Sequence, residues 1–579
     1  MTDQRNMILA IVLSLLVIVG WTFASDRFLP KPPVAARVAA TQSTGGPLAT
    51  QPANPQAIAP DGAVVPAVGG AGQLRDRGAV LRESPRLTIA TPRLAGSINL
   101  RGARLDDLVL KGYRETLKAG SPDVRLLAPS GAPAAYFAAF GWSGTDAPPA
   151  DALWTANGAQ LTPATPVTLT YRTPQGTTFE MTFAVDANYL FTVTQRIANP
   201  HAVPLTLRPW GLVSHLGEGT EKDAGNLHIG PIGVVDGRLK DSEVAYKKLR
   251  DDGAQSFATT GGWLGITDKY WATALIPDQH TPVTARFALA PGDRFQTDYL
   301  QPALSVAPGA TISTTAHLFA GAKEVTLISR YKDALGVPLF DRIVSWGWFW
   351  FIAEPIFLLL DFLFHLFGNF GLAIMGLTAI IRLVMFPVAA KQFQSTNKMK
   401  LVQPKLKALQ ERYKDDKVQL QTETMALYKK EKVNPVAGCL PAIVQIPIFY
   451  ALYKTLLVST EMRHQPFVLW IKDLSVADPL TPVNLFGLLP FTPPAMIGIG
   501  LLPILLGLSM WAQQKLNPPP VDPAQRQIFA LMPWVLMFIM APYAAGLIIY
   551  WITNNCLLIA QQLLLNRRTP APATPVVAK

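Results

Sequence analysis

The chain has 579 residues, 49% hydrophobic and 16% charged, and its 51 Lys+Arg against 39 Asp+Glu leave a formal charge of +12. A charged share below the about 25% typical of soluble domains, with a mean hydropathy of +0.23, excludes a disordered chain and argues against a wholly soluble one. Two cysteines exclude a disulfide scaffold, and the basic balance fits a nucleic acid or a membrane surface until the charges are placed.

Behind a polar head at 1–6, residues 7–24 form an unbroken apolar run. That length suffices to cross a hydrocarbon core of about 30 Å. The run reads as an uncleaved anchor, with a cleaved signal peptide as the alternative because Thr22 and Ala24 mimic a small-residue site. Residues 25–84 are rich in Pro, Ala, Gly, Thr and Gln and read as a flexible linker. Residues 85–325 have a β texture. Alternation runs through 166–171, 178–185, 189–197 and 273–276, punctuated by Asn199-Pro200 and Pro291-Gly292-Asp293. This many short strands predicts a large all-β sandwich.

After residue 336 the chain turns apolar. Span candidates are 370–390, 436–458 and 495–513. The stretch 528–565 is about twice a span and is broken by Ala541-Pro542-Tyr543 into 528–541 and 545–565. The segment 336–367 is aromatic, yet Glu354, Asp361 and His365 share one helical face. It reads as an amphipathic helix in the membrane interface, with a seventh span as the alternative. Charge arbitrates. Residues 391–434 hold eleven Lys/Arg against five acids, whereas 459–494 are net −1. Six spans place the basic hairpin 395–432 and the tail 567–579 in the cytoplasm and the β domain outside. The fold class expected is therefore a six-span helical bundle carrying a large β-sandwich.

Catalytic signatures are missing. There is no Walker-type loop, no metal-ligand spacing among the seven histidines, no CxxC and no Gly-x-Ser-x-Gly elbow. The reading is a non-enzyme with no cofactor and no metal. Arg382 is the most informative residue, because a charge in the middle of an apolar helix costs about 2.5–3.5 kcal/mol on insertion scales. It must face water, a partner or the bundle interior. Thr378 lies one turn before it. Tyr550, Asn554 and Gln561 share a face of the last span, and Gln445 adds a polar group to the 436–458 span. Together they suggest a polar cavity within the bilayer; interhelical glue is the plainer alternative.

In the hairpin, Met399, Val402, Leu406, Leu409 and Tyr413 follow coiled-coil spacing. Lys405, Lys407, Arg412, Lys414 and Lys417 then form either a solvated face or a docking surface for lipid or RNA-bearing partners. Methionines such as Met532 and Met537 offer an adaptable apolar surface, and Cys439 sits in a span, where a thiol acts as a small hydrophobe.

Several ordered motifs carry a resemblance. Asn369-Phe-Gly, then Arg382-Leu-Val-Met-Phe-Pro387 and Lys391-Gln-Phe, are followed by Leu401-Val-Gln-Pro-Lys405 and Ala426-Leu-Tyr-Lys429. Lys432-Val-Asn-Pro-Val-Ala-Gly-Cys-Leu-Pro441, Gln445-Ile-Pro-Ile-Phe449, Phe467-Val-Leu-Trp-Ile-Lys-Asp-Leu474 and Gly546-Leu-Ile-Ile-Tyr550 continue in order, and Gly262-Trp-Leu-Gly-Ile-Thr-Asp-Lys-Tyr270 joins from the β domain. The set resembles YidC-type membrane protein insertases (the YidC/Oxa/Alb family) in their Gram-negative form.

The resemblance implies five core helices around a hydrophilic groove open to cytoplasm and lipid. Arg382, Thr378, Gln445, Tyr550, Trp551 and Asn554 would contact substrate in that groove. Cys439, Pro441, Met532 and Met537 would form an apolar slide toward lipid. Trp551 stands where relatives often carry a second tyrosine, which leaves apolar contact there but no hydroxyl. The implied partners are nascent membrane proteins, the Sec translocon (SecYEG and SecDF), the ribosome and the bilayer, with no specific nucleic-acid sequence. The outer domain is expected to take the sugar-mutarotase sandwich shape without its activity. Two other classes stay open on the residues alone: a secondary transporter using Arg382 to bind an anionic solute, and an envelope carbohydrate enzyme or binding domain on a membrane anchor. Residues 336–579 hold 21 of the basic and 12 of the acidic residues, so the basic balance reads chiefly as membrane orientation.

Overall fold

The computed structural model describes residues 74–219, 227–413, 416–431, 440–489, 498–516 and 523–568. The expected first span at 7–24 and the tail from 569 lie outside these residues, as do Cys439, Lys414 and most of the linker.

A short helix α1 (Arg77–Arg82), capped by the Asp76 carboxylate accepting from the Ala79 amide at 3.0 Å, leads into a two-sheet sandwich. The strand Thr178–Val185 shows why it forms. Phe179, Met181, Phe183 and Val185 are buried, while Thr178, Glu180, Thr182 and Ala184 alternate to the outer face. This period of two lays one apolar row on the core. The strand pairs antiparallel with Val167–Arg172 on one side and Leu190–Ala198 on the other, in a 9-stranded sheet. The facing 11-stranded sheet is built around Leu205–Leu216, flanked by Tyr136–Gly144 and Arg294–Leu300. Trp142 of that sheet meets Phe179 of the other edge-on at 5.0 Å, closing the core between them. The expected strands at 166–171, 178–185, 189–197 and 273–276 correspond to Val167–Arg172, Thr178–Val185, Leu190–Ala198 and Trp271–Ile276. A helix α2 (Tyr246–Asp252) covers one end.

Strand Thr311–Ala322 hands the chain to the helical part through Lys323, Glu324 and helix α3 (Val325–Leu335). The join is polar and specific. Lys323, fully buried, donates from Nζ to Thr267 Oγ1 at 3.0 Å and to the Asp268 carbonyl at 2.5 Å. Glu461, from the helical part, accepts from the Val325 amide at 3.1 Å and so caps α3. Arg463 donates to the carbonyls of Arg114 at 2.7 Å and Glu115 at 3.2 Å.

The helical part comprises α4 (Trp350–Phe367), α5 (Phe370–Val384), α6 (Phe386–Arg412), α7 (Lys417–Lys430), α8 (Leu440–Val458), α9 (Leu501–Leu516), α10 (Pro523–Met540) and α11 (Ala545–Arg568). α4 packs on α5 and α8 through Ala353, Ile356, Phe357, Leu360 and Leu363, leaving Phe351, Phe362 and Leu366 exposed. Leu508 on α9 and Leu531, Val535 and Phe538 on α10 are exposed too. An apolar surface this wide on a packed bundle marks a contact with a membrane or another protein.

Three details depart from the sequence expectation. The helix expected over 336–367 begins only at Trp350, after a 3₁₀ turn at Phe340–Ile343. Within the expected span 370–390, α5 ends at Val384 and the chain bends by 59° into α6. Pro387 in the first turn of α6 lacks the amide that would continue the ladder, so the break falls where proline demands it. The expected hairpin therefore has no separate start at 395: α6 runs unbroken through Arg412. Among the described residues, α4 and the 545–565 part of α11 are each long and apolar enough to cross a membrane, and the bent pair α5–α6 supplies a third such segment.

Candidate functional site

Three helices bring their polar residues to one place. Arg382 is in the last turn of α5. Its Nε donates to Asn554 Oδ1 on α11 at 2.6 Å, and its Nη2 reaches Gln445 Oε1 on α8 at 3.4 Å. Gln445 Nε2 then donates to the Tyr550 hydroxyl at 2.7 Å. Tyr550 and Asn554 are one turn apart on α11, and Gln561, two turns on, donates from Nε2 to the Arg382 carbonyl at 3.4 Å. Asn555 turns the other way and donates to Ser509 of α9 at 2.9 Å, tying α11 to α9.

None of the ion pairs among the described residues involves Arg382; its guanidinium donates to the neutral amides of Asn554 and Gln445. A guanidinium held by neutral acceptors keeps its full charge available to an anion, and a low-dielectric surround strengthens that attraction. Burial is graded along the cluster. On the β-domain side, Ile374 and Leu377 of α5 and Leu547 and Ile548 of α11 are buried, as is Tyr550. On the hairpin side, Arg382, Gln445 and Gln561 are partly exposed and Leu383 and Val384 are exposed. The cluster is thus closed toward the β domain and open toward the hairpin.

Other expected site residues fall elsewhere. Thr378 is fully buried and spends its hydroxyl on the Ile374 carbonyl of its own helix at 2.6 Å, so it does not join the Arg382 network. Trp551 is partly buried and packs its ring on Phe449 of α8 with centroids 4.8 Å apart. Met537 is buried against α9 near Gly507, whereas Met532 is only partly covered. Pro441 lies in the first turn of α8. In the hairpin, Val402 and Leu406 are buried, and Lys405 pairs with Glu431 at 2.6 Å across to the end of α7. Lys407 and Arg412 are exposed, Arg412 beside the Tyr413 ring, and Lys417 opens α7.

Lys454 is a further polar residue of the bundle, one that no sequence motif singles out. It is fully buried in α8, next to buried Thr455, whose hydroxyl donates to the Ala353 carbonyl of α4 at 3.1 Å. The Lys454 stem lies against Gly347, whose lack of a Cβ leaves room for it. A single lysine within an apolar run was the available signal.

Comparison with known proteins bears on this architecture. Residues 86–359 match the family model described as the YidC periplasmic domain, and 362–572 match that of the 60Kd inner membrane protein. The chain is 44% identical to the membrane protein insertase YidC of Rhizobium meliloti (strain 1021), over 98% of this chain and 96% of that one. It is 45% identical to the protein of the same name from Beijerinckia indica subsp. indica, with the same two coverages. A solved structure described as an active YidC insertase with its first transmembrane domain resolved aligns over 83% of this chain and 92% of its own, at 17% identity and a TM-score of 0.36. The chain belongs to the YidC family of inner-membrane protein insertases, with the periplasmic β domain and the helical part both present.

Proposed function

We propose that the chain inserts newly made proteins into the inner membrane, and that the Arg382 cluster is where their polar ends enter. The observation that supports this most is a guanidinium held by Asn554 and Gln445 between three helices, with no carboxylate paired to it among the described residues. A substrate's acidic outer end meets Arg382, which lowers the cost of bringing that charge into low dielectric. Its apolar segment then passes to lipid along α8 and α10, where burial of apolar surface yields about 25 cal/mol per Å². The membrane potential adds about 2.3 kcal/mol per 100 mV for each negative charge moved outward. No nucleotide is required for either term.

In this reading the bundle has six spans, counting 7–24, with α4 in the interface, both termini and the α6–α7 hairpin in the cytoplasm, and the β domain in the periplasm. The basic excess of 391–434 over 459–494 supports that orientation. The exposed Lys407 and Arg412 serve ribosome or lipid docking, and the chain works alone or beside the Sec translocon.

The test is reconstitution. Proteoliposomes holding only the purified chain should protect the translocated tail of a single-span substrate from external protease, without nucleotide. Protection no greater than in empty liposomes contradicts the proposal. Uptake of an anionic solute with no nascent chain present would favour a transporter instead.

A further inference from the structure

Apart from the Arg382 cluster, a cavity lies where the helical part meets the β domain. It is a crevice of about 520 Å³ between α8 and the turn joining α10 to α11, lined by Tyr453, Leu456, Val476, Pro542 and Leu547. Its wall is fixed: the Ala545 amide donates to the Val476 carbonyl at 2.7 Å and the Gly546 amide to Leu474 at 3.0 Å. Tyr453 and Tyr543 meet edge-on at 5.9 Å across it. Phe538 and Ile539, just before the turn, are exposed, so the crevice adjoins the lipid-facing surface of α10.

One cation stands at this apolar crevice, and it comes from the β domain. Lys269 sits in the turn between strands Trp263–Thr267 and Trp271–Ile276. That turn is held from three directions. Lys323 donates to the Asp268 carbonyl at 2.5 Å, Thr460 Oγ1 donates to the Tyr270 carbonyl at 3.4 Å, and the Arg463 guanidinium lies 5.7 and 5.4 Å from the Tyr270 and Trp271 ring centroids. The Lys269 ammonium rests over the Tyr270 ring at 4.7 Å and enters no ion pair among the described residues. The acids of the adjoining loop are engaged. Asp473 accepts from the Ser475 amide and hydroxyl, and Asp478 accepts from Trp470 Nε1 and the amides of Leu480 and Leu502.

We propose that this crevice binds one anionic phospholipid, with an acyl chain along α8 and α11 and the headgroup phosphate at Lys269. An apolar wall with a single fixed cation at its rim complements an amphiphile carrying one negative charge, and continuity with the α10 surface supplies it from the bilayer. The β domain is thereby seated on the membrane through a lipid as well as through protein contacts. The proposal rests on the helical part lying in a bilayer and is independent of the role given to Arg382.

The experiment is native mass spectrometry of the full chain released from detergent, with phosphatidylglycerol and phosphatidylcholine of identical chains in competition. The unaltered chain should retain phosphatidylglycerol over phosphatidylcholine by about fivefold. Lys269→Gln should abolish the preference, and Ala477→Trp, which fills the crevice, should abolish retention of both at this site, each with an unchanged circular dichroism spectrum. Glycerol phosphate without chains should not compete. Equal retention of the two lipids by the unaltered chain, or a preference that survives Lys269→Gln, overturns the proposal. Recovery of the chain in lipid nanodiscs of either composition reports membrane residence separately.

Discussion

The Arg382 guanidinium donates through Nε to the Asn554 side-chain oxygen at 2.6 Å, fastening the end of α5 to the middle of α11. The two residues are 172 positions apart in the chain. Asn554 therefore positions the cation, while the charge itself is what an incoming acidic segment meets. Arg382→Ala should reduce insertion of substrates with acidic translocated tails by about tenfold or more, with little effect on uncharged tails. Asn554→Ala, which leaves the charge but loosens it, should fall between. Protease protection of matched substrates in proteoliposomes measures both. Insertion of acidic-tailed substrates by Arg382→Ala at the level of the unaltered chain contradicts the charge role.

The deletion of 85–325 separates the insertase reading from a carbohydrate-active one. Insertion by the truncated chain should persist, at lower protein stability, because Glu461 and Arg463 lose their partners across the join. Loss of all cellular function with insertion intact in liposomes would instead point to an activity in the β domain.

Glu461 makes the join sensitive to pH. Burial first, and the nearby Glu324 charge after it, push its carboxyl up from the ordinary 4.5 to about 7, against the hydrogen bonds it accepts from its own amide, the Val325 amide and Ser459. A carboxyl whose folded value is raised binds its proton more tightly in the native state, so its contribution to stability is present below about 4.5 and is lost as pH rises through about 7. Between those values the chain should become less stable with rising pH. Glu461→Gln keeps an acceptor for Val325 and removes the charge, so it should flatten that slope. Thermal unfolding at pH 5 and pH 8 measures it, and a slope unchanged by Glu461→Gln would contradict the assignment.

Gly371, in the first turn of α5, is packed so closely that an added Cβ would overlap the Phe467 ring. Asn369 ties the same place by donating to the Phe467 carbonyl at 3.2 Å. Gly371→Ala should therefore destabilise the bundle by about 1–3 kcal/mol through overpacking. Unfolding in detergent is the measurement. A Gly371→Ala, Phe467→Leu double variant should recover part of the loss.

What could be read in advance follows from the range of the interactions. The strand Thr178–Val185 was legible because its period of two is local, and the stop after Val384 was signalled by Pro387 although the 370–390 run looked continuous. Arg382, Asn554 and Gln445 stood out as polar residues in apolar helices, but their bonding to one another depends on how three helices pack. Thr378 shows the opposite case. Its spacing of four from Arg382 was right for a shared face, yet a buried hydroxyl satisfies itself on its own helix before reaching a neighbour. Lys454 does not stand out in the sequence because hydropathy averages one charge away. The role of Lys323 could not be read either, since its partners Thr267 and Asp268 are distant in the chain.

Substrate entry beside Arg382 can be tested at the residue that touches it. The most direct measurement places a photoreactive amino acid at Gln445, 3.4 Å from that guanidinium, and irradiates membranes bearing a ribosome-stalled single-span substrate. Crosslinks are expected to the translocated tail and first apolar turns of the nascent chain, and none from a control probe at exposed Val418 of α7. Crosslinks from Val418 but not from position 445 would contradict entry beside Arg382.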